Sequence, residues 1–219
     1  MASSEDIRRQ LTERLFKSNI VQNNFRGEVL EEIVNSVIGN KHGGTWEHSS
    51  ADWNAWDFRC DDYFLQVKQA AARQSWDTED RASEKGRGIF HIRPNSGYYG
   101  LDEWHTLEPP QRIAQIYVFG WHACKTAHCD QFDGNQWKFF VTRSEDFPEQ
   151  KLTININELK EEVEKGKAAC CSIGGLNKAV NQVKIARPSS SKIEWRSKLM
   201  ASIAIEPSTI TPLSPTATS

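Results

Sequence analysis

The stretch from Ala55 to Gln69 constrains this chain more than any other. Ala55-Trp56-Asp57-Phe58-Arg59-Cys60 and Tyr63-Phe64-Leu65-Gln66-Val67-Lys68-Gln69 are two aromatic and β-branched runs separated only by Asp61-Asp62. Residues of this kind suit a pleated, half-buried surface, and a two-residue acidic break between them reads as a tight antiparallel hairpin. Side chains alternate across a strand. Trp56 and Phe58 on one face therefore send Asp57 to the other, while Gln66 and Lys68, two apart, share a face even if Phe64, Leu65 and Val67 are largely buried. Asp57, Gln66 and Lys68 are expected to converge.

The hairpin is preceded by two helical patterns. Ile7, Leu11, Leu15 and Phe16 recur at helical spacing between Ser4 and about Asn19, with Ser4 and Glu5 as start signals. From Asn24 to Ile38, Phe25, Val29, Leu30, Ile33, Val34 and Val37 form an apolar stripe that Gly39-Asn40 ends, with Glu28, Glu31 and Glu32 beside or opposite it. Residues 70–110 hold Gly86, Gly88, Pro94, Gly97, Gly100 and Pro109-Pro110 without sustained periodicity and read as a long, partly irregular excursion. Arg112 to Gly120 and Gln136 to Thr142 read as strands, and Asn157 as the cap of a helix closed by Gly166. This order predicts an α/β fold, a mixed central β-sheet flanked by helices. The expected organisation is an N-terminal helix at 1–20, a core at 21–170, a basic segment at 171–205 and a disordered tail at 206–219. The last 14 residues hold seven Ser or Thr and three Pro, too little apolar surface to order them.

With 219 residues, 38% of them hydrophobic, the chain can bury a substantial core. No run approaches the roughly 18 apolar residues of a membrane span, and MASSEDIRRQLTERLF lacks the basic-then-apolar order of a signal peptide, so a cytoplasmic protein without a membrane partner is expected. Five cysteines, unevenly spread, favour reduced thiols. A net charge of −2 means that any polyanion must be held by local patches. Two patches qualify. Residues 68–93 carry six basic side chains against four acidic, and residues 176–203 carry six against one. Arg73, Lys85, Arg87 and Arg93 in the first and Lys178 and Lys184 in the second are the candidate phosphate contacts, with Trp76, His91 and Tyr98-Tyr99 as stacking groups.

An acid on a helix (Glu28), an acid on one strand (Asp57) and Gln66-Val67-Lys68 on the next make a set suited to metal-assisted phosphodiester hydrolysis. Mg²⁺ takes oxygen ligands at about 2.0–2.1 Å and keeps several waters, so few protein ligands suffice. Asp57 would be the central ligand, Glu28 a direct or water-mediated second and the Gln66 amide oxygen a third, with Lys68 orienting the attacking water. Glu31 is next in line should Glu28 be displaced.

Asp57, the hairpin turn and Gln66-x-Lys68 resemble the active-site core of the PD-(D/E)XK restriction-endonuclease-like nucleases. Glu28, within Phe25-Arg26-Gly27-Glu28-Val29-Leu30, is similar to the acid many members carry on the helix before the core. IAQIYVFGW from Ile113, WKFFVTR from Trp137 and Ser144-Glu145-Asp146-Phe147 resemble later strands of the family and their T/S-S-E-L ending, so the likeness spans roughly residues 22–165. Trp56 replaces the usual proline. Gln66 replaces the usual Asp or Glu, which removes one full charge from the centre. The resemblance implies a restriction-endonuclease-like core and a Mg²⁺-dependent deoxyribonuclease, with Mn²⁺ substituting, in a prokaryotic restriction or defence setting. DNA is then the partner, and the enzyme a homodimer or a partner-activated assembly. The alternatives are a catalytically silent DNA-binding or assembly module of the same fold, or an effector switched on by a partner. In the plainest case Asp57 and Lys68 form a cross-strand ion pair worth about 0.2–1 kcal/mol. His122, Cys124, His128 and Cys129 offer nitrogen and sulfur ligands, but their spacing does not match common zinc sites, and a hairpin loop is the simpler expectation.

Overall fold

The computed structural model describes residues 3–49, 54–77, 88–100 and 103–185. In chain order the elements are α1 (Ser4–Phe16), α2 (Asn23–Ile38), β1 (Glu47–His48), β2 (Phe58–Cys60), β3 (Tyr63–Ala71), β4 (Ile89–His91), β5 (Asn95–Gly100), β6 (Glu103–Gln111), β7 (Ile116–His122), β8 (Trp137–Arg143), β9 (Thr153–Asn155), α3 (Ile156–Glu164), β10 (Ala168–Cys171) and α4 (Ile173–Ile185). Among the described residues one six-stranded sheet runs β1-β2-β3-β7-β8-β10, and two small two-stranded sheets pair β4 with β9 and β5 with β6. Within the large sheet β3 and β7 are parallel and the other pairs antiparallel. The fold is a mixed sheet flanked by helices, as the element order predicts.

Alternation along the central strands divides the interior in two. Leu65 and Val67 of β3, Ile116 and Val118 of β7, and Trp137, Phe139 and Val141 of β8 face α2 and α4, meeting Leu30, Val34, Ile38, Leu176, Ala179 and Val180. Phe64, Tyr117, Phe119 and Phe140 face the other way, toward Trp56, Phe90, Ile92, Phe147, Ile154 and Leu159. The hydrophobic faces at spacings of two and of three to four meet because both present apolar surface that water disfavours. Gly120 permits the close approach of α2: a Cβ there would lie 2.5 Å from Leu30 Cδ2.

Several local expectations change. Ser3, not Ser4 or Glu5, caps α1: its hydroxyl accepts from the Asp6 N–H while the Asp6 carboxylate accepts from Ser3. Asn155, not Asn157, caps α3 through the equivalent box with Glu158. The strand expected over 112–120 begins only at Ile116. Burial of Ile113 and Ala114 mimics a strand, while the neighbouring Arg112 guanidinium reaches the carbonyls of Ile92, Pro148, Glu149 and Lys151. Within the excursion at 70–110, the described residues from Asn95 onward are more ordered than their glycines and prolines imply. β5 and β6 form a ribbon held by cross-strand rings, Tyr98 stacked on His105 at 5.0 Å and Tyr99 edge-on to Trp104 at 5.9 Å. β10 and α4 carry the core past residue 170, to at least Val180. Cys124 and Cys129 form a disulfide, against the expectation of reduced thiols, because their loop folds back and brings the two residues together.

Trp56 and Phe58 do not share a face: Trp56 packs on the Phe64 ring at 4.4 Å in one half of the interior and Phe58 lies in the other. The ladder starts at Phe58, so residues 54–57 are free of strict alternation. Lys85, Arg87, the basic run beyond residue 185 and the tail at 206–219 lie outside the described residues. Among those described, no helix is long and apolar enough to cross a membrane.

Candidate active site

Asp57 stands at the mouth of the hairpin with its backbone held on both sides. Its N–H donates to the Leu65 carbonyl at 2.9 Å, and its own carbonyl accepts from the Ser49 N–H at 2.8 Å. Its carboxylate Oδ2 accepts from the Val67 N–H at 2.6 Å. The pairing Phe58↔Leu65 sets position 57 opposite Gln66. Gln66 and Lys68 occupy alternate, half-buried positions of β3, facing Tyr117 and Phe119 across the parallel ladder, while Leu65 and Val67 fill the α2 side. On α2, Glu28 is exposed and Glu31, almost one turn later, is half-buried.

The electrostatics tie these side chains together. Burial raises the Asp57 pKa and Glu28 adds to the rise, opposed by Lys68, the Val67 N–H and His48. Burial lowers the Lys68 pKa, opposed by the charges of Asp57 and then Glu31. Glu31 is pushed up to about 8, first by burial, then by Asp57 and Glu28, with Lys68 pulling the other way. Tyr117 is pushed up to about 12, chiefly by burial, with Asp57 contributing. Perturbed groups gathered around one ammonium are a mark of functional sites.

Two of these groups change the picture drawn from the sequence. Glu31 replaces Glu28 as the helix acid most deeply involved, although Glu28 still raises both neighbouring carboxyls. Helical spacing holds the signal: Glu31 is three and seven residues before the buried Val34 and Ile38, whereas Glu28 falls outside that ridge. His48 enters through β1, with Nε2 3.4 Å from Glu31 Oε2 and its ring stacked on Phe58. Nothing in the local sequence marks it, because only the pairing of β1 with β2 brings it to the centre.

The candidate phosphate contacts are scattered. Arg73 donates to the Thr126 carbonyl at 2.5 Å, Arg93 is exposed after β4, and Lys178 is exposed on α4. The Lys184 ammonium is engaged by the hairpin turn, 2.9 Å from Asp61 Oδ2 and 3.0 Å from Cys60 Sγ, over the rings of Tyr63 and Trp46. It therefore pins α4 to β2 and β3. The His122, Cys124, His128 and Cys129 set closes on itself: the cysteines pair, His122 is buried with Nε2 on the Asp130 carbonyl, and burial lowers its pKa. His128 is exposed.

Comparison with protein-family models, curated proteins and solved structures returns no match. The case for chemistry rests on the site.

Among the described residues no group of three or more His, Cys, Asp or Glu is placed to hold a metal ion. Mg²⁺ asks for less, one or two carboxylates and its own waters. Burial and Glu28 raise the pKa of both Asp57 and the half-buried Glu31, and Lys68 opposes both shifts. A divalent cation binding here would displace the proton that Glu31 holds. Asp57 and Glu31 would hold it, with the Gln66 amide oxygen as neutral third ligand and Glu28 acting through water.

Proposed function

We propose that this chain is a divalent-cation-dependent deoxyribonuclease of the restriction-endonuclease-like type, with Asp57, Glu31, Gln66 and Lys68 as its centre and Glu28 at its rim. One observation carries most of the reading: a half-buried carboxylate anchored by the N–H of the neighbouring strand and influenced by the charge of Lys68, two positions after Gln66. The family resemblance of Asp57, Gln66 and Lys68 supplies the rest, including the restriction-endonuclease-like core, the choice of DNA and the prokaryotic defence setting. Mg²⁺, or Mn²⁺ in its place, would polarise the scissile phosphate and lower the pKa of a bound water. Lys68 would orient that water and offset charge developing on the phosphate. Arg73, Arg93 and Lys178 are the described cations left to follow the DNA backbone, with Lys85 and Arg87 as further candidates. One centre cuts one strand, so double-strand cleavage calls for a homodimer or a partner-built assembly.

The neutral side chain of Gln66 favours a second reading, a DNA-binding or assembly module that kept the hairpin and lost turnover. Plasmid nicking in Mg²⁺ or Mn²⁺ separates the two. The nuclease reading expects cleavage by the wild type and its loss in Asp57→Ala and Lys68→Ala. Cleavage that survives both substitutions removes the site, and a wild type that binds DNA without cutting it selects the silent module.

A further inference from the structure

We infer that His48 is a positioning residue that holds the Glu31 carboxylate for cation binding, an inference that rests on the cation-dependent reading above. β1 is only two residues long, and its ladder places His48 opposite Phe58. The imidazole lies against the Phe58 ring, centroids 4.7 Å apart and planes at 25°, and Phe58 is wholly buried. A stack on an immobile ring restricts the imidazole, so Nε2 is presented at one place, 3.4 Å from Glu31 Oε2. The contact is itself sheltered, with 23% of the His48 side chain and 20% of the Glu31 side chain exposed.

Glu31 needs such a partner. Its side chain has three rotatable bonds, and the charges of Asp57 and Glu28 repel its carboxylate from the centre. A neighbour that fixes the carboxylate offsets both the rotational freedom and the repulsion. The following residue, Ser49, donates its N–H to the Asp57 carbonyl at 2.8 Å. The short strand thus ties down both acids, one through the backbone and one through an imidazole. Outer partners of this kind typically change metal affinity about 10–100-fold when removed.

The test uses the full chain titrated with Mn²⁺ alone, with free Mn²⁺ followed by electron paramagnetic resonance. His48→Ala is expected to weaken binding about 10–100-fold. His48→Phe, which keeps a ring on Phe58 but lacks the nitrogen, should weaken it equally, whereas His48→Gln should recover most of the loss. In a Glu31→Gln background, removing His48 should add nothing, because its effect passes through that carboxylate. Pulsed spectra of the bound Mn²⁺ should show no coupled histidine nitrogen. Wild-type affinity in His48→Phe, full additivity with Glu31→Gln, or a directly coordinated nitrogen each overturns the positioning role. Asp57→Asn is the separate control: if it binds Mn²⁺ like the wild type, the cation-dependent reading fails whatever His48 does.

Discussion

Two buried charge clusters share α2 and β3, and they are built in opposite ways. At the start of α2, the wholly buried Arg26 is wrapped by hydrogen bonds to Gln131, Asn23, Gln69, Gln74 and the Val21 carbonyl. Further along the helix, Glu31 meets Asp57 and Glu28 with Lys68 as the opposing charge, and its proton is held to about pH 8. Arg26 has its donors spread over neutral amides from four parts of the chain, which makes it a rivet. The acids are relieved differently: the proton that Glu31 keeps to about pH 8 stands in for a missing positive charge. A buried charge that is fully hydrogen-bonded holds a fold together, while acids that share too little opposing charge keep a proton, which a cation can displace.

The largest expected effects lie in the acid cluster. Asp57→Asn or Lys68→Ala should lower cleavage by about 10²–10³-fold or more, read by plasmid nicking, with the folded state retained. Near-normal cleavage would make the two clusters alike. Arg26→Met should do the reverse. Leaving several buried acceptors unmatched is expected to cost about 3 kcal/mol in denaturant unfolding, and Arg26→Lys should not restore it, because an ammonium cannot reproduce the guanidinium fork.

The pH dependence sharpens the comparison. The Glu31 pKa is raised on folding, so between its ordinary value of 4.5 and about 8 the folded state binds the extra proton. Its contribution is therefore fully present below about pH 4.5 and is lost as pH rises through about 8. In chelator, unfolding free energy should fall by about 2–4 kcal/mol from pH 5 to pH 8.5. Asp57, also raised, acts in the same sense, and the lowered Lys68 opposes it at the alkaline end. Glu31→Gln should flatten the curve, and saturating Mg²⁺ should flatten it in the wild type. The smallest effect is expected of Gln66→Glu: a restored carboxylate should tighten Mn²⁺ binding about tenfold. Unchanged affinity would remove Gln66 from the ligand set.

What was legible and what was not follows the range of the interactions. The hairpin at 58–71 and helix α2 announce themselves because turn residues and apolar spacing act within a few positions. The β5–β6 ribbon is hidden behind Pro109-Pro110 and Gly97 because its stability lies in ring pairs between strands. α4 is masked by its leading Gly174-Gly175, although Leu176, Ala179 and Val180 keep helical spacing and end up buried.

The same division runs through the candidate site. Gln66 and Lys68 are set by the strand period of two, a property of the local chain, whereas Asp57 lies before the ladder and is placed by its hydrogen bonds with Leu65, Val67 and Ser49. Which glutamate turns inward follows the helical spacing of Val34 and Ile38, while Gly120, more than 80 residues away, leaves room for Leu30 of α2 against the sheet. His48 joins only because β1 pairs with β2. Covalent geometry dictates alternation and turns, but close packing chooses which side chains lose their water together, and that choice is made by neighbours distant in sequence.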